Sequence, residues 1–191
     1  MSNELIQAQD SVSASLIANR AASENVGAGG VFTATCVGPD GQIKWTDTFH
    51  NLVVNEGLVN MNTSYFKGSG YTAAFFLGLV SGATSPTYAA GNTLASHAGW
   101  TELVPGTAYT GNRPAVTFGT STSANPSVIT TTATSYAMLV NSTVVAGAFL
   151  CTVASGTSGT LFSAGSFTGG NKSVDSGDTL NVTYSFSLTG T

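Results

Sequence analysis

The chain has 191 residues, a hydrophobic fraction of 42% and a formal net charge of −4. That length suits one domain, and that apolar content excludes a chain disordered throughout. Only 7% of the residues are charged, against about 25% in an ordinary globular protein, so little electrostatic repulsion opposes association and the surface is expected to be engaged in an assembly. The five basic residues, Arg20, Lys44, Lys67, Arg113 and Lys172, are scattered. No basic stripe exists to neutralise phosphates or an anionic bilayer, so neither nucleic acid nor membrane is an expected partner.

Residues 1–30 stand apart from the rest. They hold Glu4, Asp10, Arg20 and Glu24, and Leu5, Val12, Leu16 and Ile17 make one weak helical face. The segment lacks a basic start followed by an apolar run, so it is not expected to be a secretory signal, and no stretch of the chain reaches the ~18 apolar residues of a membrane span. It reads as an arm that gains order against neighbours, with a frayed terminus as the alternative. Gly27 to Gly30 are expected to act as a hinge before a β domain over 31–191.

The domain opens with a predicted hairpin. "VFTATCV" alternates, "GPDG" supplies the turn, and "QIKWTDTF" returns with Ile43, Trp45 and Phe49 on one face. "NLVVNEGLVNMNTSYFKG" is the helix candidate, with Asn55 as cap, Glu56 in the first turn and Gly68 at the end. Gly57 inside it costs about 1 kcal/mol of helix propensity. "TAAFFLGLV" suits a buried strand. "AVTFGTST", "SVITTTATSYAML", "TVVAGAFLCTV", "SGTLFSAGSF" and "DTLNVTYSFSL" are further strands, and in the last of them Leu180, Val182, Tyr184, Phe186 and Leu188 alternate with polar residues. Short strands at this spacing predict a mainly all-β fold, an antiparallel β-sandwich or jelly roll with one short helix and a flexible N-terminal arm.

Motifs that carry chemistry are sparse. Neither a G-x-S-x-G elbow, an H-x-x-x-H or C-x-x-C pair, nor a phosphate loop occurs. His50 and Asp47 fall on opposite faces of a strand, so they make no preset pair. Asp175 and Asp178 in "DSGD" suit a polar turn better than a calcium loop. Cys36 and Cys151 read as small buried hydrophobes, with a disulfide as the less favoured alternative. "TLASHAGWTE" gathers His97, Trp100 and Glu102. Gly99 suggests a turn that swings the Trp100 indole into a pocket, with His97 bonded to the loop's own backbone. A hydrolase would need Glu56 or Glu102 as its acid, and neither has a second carboxylate nearby in sequence. The expectation is therefore a protein that is not an enzyme, with no catalytic residues, no metal and no cofactor.

"HNLVVNEGLVNMNTSYFKGS", "YTAAFFLGLV", "YAAGNTLASHAGWTE", "YTGNRPAVTFG", "VVAGAFL" and "SGTLFSAGSFTGGNKSVDSGDTLNVTYSFSL" resemble a family of small virion structural proteins of tailed bacteriophages. The resemblance covers roughly residues 43–188 and leaves the arm uncovered. It implies a phage origin and a role without catalysis. The expected function is a capsid decoration or cement protein on the virion surface, made in the host cytoplasm. Its expected partners are the major capsid protein and copies of itself in a homo-oligomer. The alternative is a tail or head-fibre domain that attaches to host glycans, with Trp45 and Trp100 stacking on sugar rings. Trp45, Trp100, Tyr109 and Phe118 are the candidate interface anchors, each with packing in the chain's own core as the competing role.

Overall fold

The structure, a computed structural model, describes residues 26–67, 70 and 74–190. In chain order the elements are β1 (Val26–Val37), β2 (Ile43–His50), β3 (Leu52–Val53), α1 (Asn55–Tyr65), β4 (Phe76–Ser81), β5 (Ser127–Thr130), β6 (Thr134–Ala137), β7 (Thr143–Cys151), β8 (Leu161–Ser166), β9 (Lys172–Val174) and β10 (Thr179–Gly190). All strand pairs are antiparallel. The first sheet runs β2-β1-β10-β5, with β6 following β5 along the same edge of β10. The second runs β3-β8-β7-β4, with β9 pairing β7 beyond β8. The fold is thus a β-sandwich with, among the described residues, one short helix.

Period-2 patterning places the core. Phe32, Ala34 and Cys36 on β1, Phe49 on β2, and Leu180, Val182 and Tyr184 on β10 turn inward from the first sheet. They meet Leu77, Leu79, Val145, Ala148 and Leu150 of the second sheet. Phe32 lies 5.2 Å from Phe49 and 4.6 Å from Tyr184 between ring centroids. Each such buried side chain contributes about 1.5–3 kcal/mol. The opposite face of the first sheet carries threonines, with Thr33 paired to Thr48 and Thr35 to Thr46 through their hydroxyls.

The second sheet is buried on both faces, because residues 82–114 fold back over it. Their return along the free edge of β4 is tied by Ser81 N–H to Thr101 C=O and Leu103 N–H to Leu79 C=O, each 2.8 Å. Beneath this cover Val80, Ala146, Phe149, Cys151, Leu161 and Ala164 form a second core with Leu94 and Trp100. The two cysteines are free and buried, one in each core.

Several expectations are corrected. Gly27 to Gly30 are no hinge: β1 begins at Val26 and pairs with β10 along twelve positions, so the β domain starts five residues before the expected boundary at 31. Pairing with β10 overrides glycine's low strand propensity, and a side chain at Gly30 would run into Tyr184 and Asn51. "AVTFGTST" is not a strand, since its partners switch within three residues from Phe75 (to Val116 N–H) to Thr130 (to Gly119 N–H). It stitches the two sheets together at one side instead of extending either. β9 falls within "GGNKSVDSGD", which reads in sequence as a connection.

The helix cap also differs. Val54 occupies that position, buried and held by its N–H to Phe162 C=O, and Asn55 is the first helical residue. Ile43, expected inside, is exposed beside a bulge at Cys36 and Val37. The expected helix end at Gly68, the start of "TAAFFLGLV" and the arm over 1–25 lie outside the described residues.

Candidate interaction surface

β1 and β10 run past the end of the second sheet, and this offset makes the surface. The alternating face of β10 is fully buried through Tyr184, half-buried at Phe186 and 40% exposed at Leu188. Opposite Leu188 on β1 is Ala28, and Gly190 faces Val26. α1 covers the space only in part. Between helix and sheet lies a groove of about 880 Å³, with Phe75, Phe118 and Phe162 on its walls and Met61 and Tyr184 also facing it. Among the described residues, no charged side chain lines it. Tyr65 and Phe66, 83% and 81% exposed, stand at its rim as an edge-to-face pair 4.9 Å apart. An apolar groove of this size is the kind of surface to which partners or ligands bind in other proteins, which makes it the candidate site.

Its walls are aromatic rings packed on one another. Phe75 packs edge-on against Phe118 and Phe162, and Phe162 against Phe186. Burial pushes the Tyr184 phenol up to about 12, so it stays neutral, and Asn51 Nδ2 donates to its oxygen at 3.0 Å. Gly57 lets the helix lie against the Phe162 carbonyl, where any Cβ would collide. The residue that lowers helix propensity is what brings the helix this close to β8. Glu56 Oε2 accepts from Leu161 N–H at 2.8 Å and Leu94 N–H at 3.3 Å, tying the helix start to both the strand and the covering loop.

Of the four candidate anchors, only Phe118 lines this groove. Trp100 and Tyr109 are corrected as interface anchors: they are 2% and 0% exposed and belong to the chain's own cores. Trp100 donates to Asn92 Oδ1 at 3.3 Å, and His97 stacks on its ring at 3.8 Å with Nδ1 3.0 Å from the Trp100 carbonyl. Gly99 permits the turn, since a side chain there would strike Thr87. Tyr109 meets Tyr136 edge-on at 4.9 Å. Trp45 is half-buried on Phe167 and donates to Ser173 C=O, away from the groove. Burial of Trp100 removes it as a platform for sugar rings.

The carboxylates weighed as a hydrolase acid, a calcium loop or a histidine partner are bound to the protein's own donors. Glu102 takes both Nε and Nη2 of Arg113 at 2.7 Å. Asp175 and Asp178 share Lys44 Nζ at 3.0 and 2.7 Å, closing a polar turn. Asp47 accepts from Thr168 N–H and Gly169 N–H and pairs with Lys172, while His50 faces outward on the other side of β2. Among the described residues, no three His, Cys, Asp or Glu side chains gather as metal ligands.

Sequence reasoning missed the groove residues Tyr65, Phe66, Leu58 and Val26. One signal was available: β10 continues its apolar alternation to Leu188, whereas the strand facing it offers only glycine and alanine there. No family model matches the chain, and neither a curated protein nor a solved structure matches it.

Proposed function

We propose that the protein is a structural component of a bacteriophage virion, a cement protein on the capsid that bridges major capsid subunits. The observation that carries this reading is the uncharged apolar groove with Tyr65 and Phe66 at its rim. Specific contacts of standard size bury about 1,200–2,000 Å² around an apolar, aromatic-rich centre with a polar rim. The groove supplies such a centre, and the low charge of the chain lowers the cost of desolvating its surroundings. The resemblance over residues 43–188 to virion structural proteins supports a phage particle as the setting. Cryo-microscopy of the virion, with quantification of copies per particle, is the test. Hundreds of copies with density across capsomer boundaries are expected, and density confined to the tail would overturn the reading.

A further inference from the structure

We infer that the edge of β1 over Val26–Gly29 is a strand-pairing site for a second copy of this chain. The inference goes beyond the capsid reading and does not rest on it. β1 pairs with β10 from Val26 to Val37, but on its other side β2 reaches only as far as Val31. Successive residues of a strand turn their backbone groups to opposite sides. Gly30 C=O accepts from Asn51 N–H on the β2 side, and Gly29 C=O accepts from the Ser187 hydroxyl on the β10 side. By the same alternation, Val26 and Ala28 turn N–H and C=O away from β10, and among the described residues no hydrogen-bond partner meets them. The edges of β2, β4, β5 and β6 are each touched by another segment. The Thr168 hydroxyl donates to Thr48 C=O on β2, Leu103 N–H to Leu79 C=O on β4, Gly119 N–H to Thr130 C=O on β5, and Thr110 N–H to Ala137 C=O on β6. A bare edge is a template for another strand, and a charge on it is a common guard. Val26–Gly30 carries no charge.

The free groups fix the occupant and its register. Antiparallel pairing about a two-fold axis at Gly27 sets Val26 of each copy opposite Ala28 of the other, so every free N–H of one copy meets a free C=O of its mate. Asn51 fills the place opposite Gly30, and the ladder ends before it. Opposed side chains share a face of the sheet. The apolar grooves of the two copies therefore open on the same side of the joined sheet, and Val26, 78% exposed in the single chain, packs beside Ala28 of the other copy. The ladder is short, so pairing depends on concentration and is favoured wherever copies are held close together.

The test is sedimentation velocity of the full chain over a concentration series, with cross-linking beside it. A monomer–dimer equilibrium is expected. Ala28→Pro removes a donor that β10 does not use, so the fold should keep its melting temperature while the dimer dissociation constant rises about tenfold or more. Gly27→Cys has room, since a Cβ there meets nothing closer than Thr189 at 3.9 Å. Across the axis the Gly27 Cα atoms stand about 4.5 Å apart, within disulfide reach. With oxidised glutathione this variant is expected to form a covalent dimer, and Cys36 and Cys151 are buried and do not compete. Thr189→Cys lies opposite Gly27 on β10, one strand further from the axis and beyond that reach, so it should stay monomeric. A chain monomeric at every concentration overturns the inference, as does a dimer that Ala28→Pro leaves intact or equal cross-linking through Thr189→Cys. A strictly monomeric chain that still occupies particles overturns this inference alone and leaves the capsid reading standing.

Discussion

Glu102 and Arg113 face each other as a two-pronged ion pair beneath the outer face of the second sheet, 18% and 4% exposed. Arg113 also donates to the carbonyls of Val153 and Gly156 and lies over the Phe149 ring at 5.3 Å. The pair joins two points of the covering segment, and Arg113 ties that segment to the loop after β7. Arg113→Met would leave a carboxylate in a poorly hydrated site, at a cost of about 3–5 kcal/mol. Urea unfolding should show a loss of unfolding free energy of that size, read as a lower midpoint at unchanged slope. Replacing both partners by apolar residues should recover much of the loss, and equal stability of the single variant and wild type would sink this account.

Trp100 is the centre of the second core, touched by His97, Tyr88 and Phe149. Trp100→Ala should cost about 3–5 kcal/mol, as expected for removal of a large buried ring. His97→Ala removes only a stacked neighbour and one backbone hydrogen bond, so its loss should be about 1 kcal/mol. Thermal melts of the two variants check the order; the reverse order would show that the loop is held by its surface and not by the indole.

Asp178 is 1% exposed. Burial raises its pKa, but the hydrogen bonds from Lys44 Nζ and Asp175 N–H outweigh burial and hold it below the usual 3.8. A carboxylate with a lowered folded pKa stabilises the fold above its unfolded value and loses that contribution as pH falls through the folded one. Stability should therefore be flat near neutral pH and fall below about pH 4. Asp178→Asn should start less stable at neutral pH and lose less over the acid range. Parallel pH curves for the two proteins would refute the assignment.

Tyr65 and Phe66 make few contacts with the rest of the chain, so replacing both by serine should leave the melting temperature within about 1–2 °C of wild type. If they anchor a partner, each should cost 2 kcal/mol or more in binding, or roughly thirtyfold in affinity. Reconstitution onto particles lacking the protein would read this directly. Full occupancy by the double variant would place the contact elsewhere.

Strand periodicity was legible where neighbours are local or the pattern is long. β10 shows its buried face in its own letters, and the β1–β2 hairpin shows its turn in "GPDG". Gly27 to Gly30 read as a break because glycine's intrinsic preference says so, yet their strand depends on residues about 160 positions away in β10. The apolar run of β7 announces burial on both faces but not what covers it, since the covering loop has no period. The Glu102–Arg113 pair, eleven residues apart, follows no helical or strand spacing. The groove was illegible for a further reason: it arises where one sheet outruns the other, and single-strand patterns carry no information on that offset.

The threonine pairs on the outer face of the first sheet carry their own consequence. That face is tiled with hydroxyl dipoles and methyl groups, and ionic atmosphere screens net charges far more than it screens either. A shell built through such tiles and an uncharged groove would hold alike in dilute buffer and in brine. It would loosen instead in urea, which solvates apolar and peptide groups together.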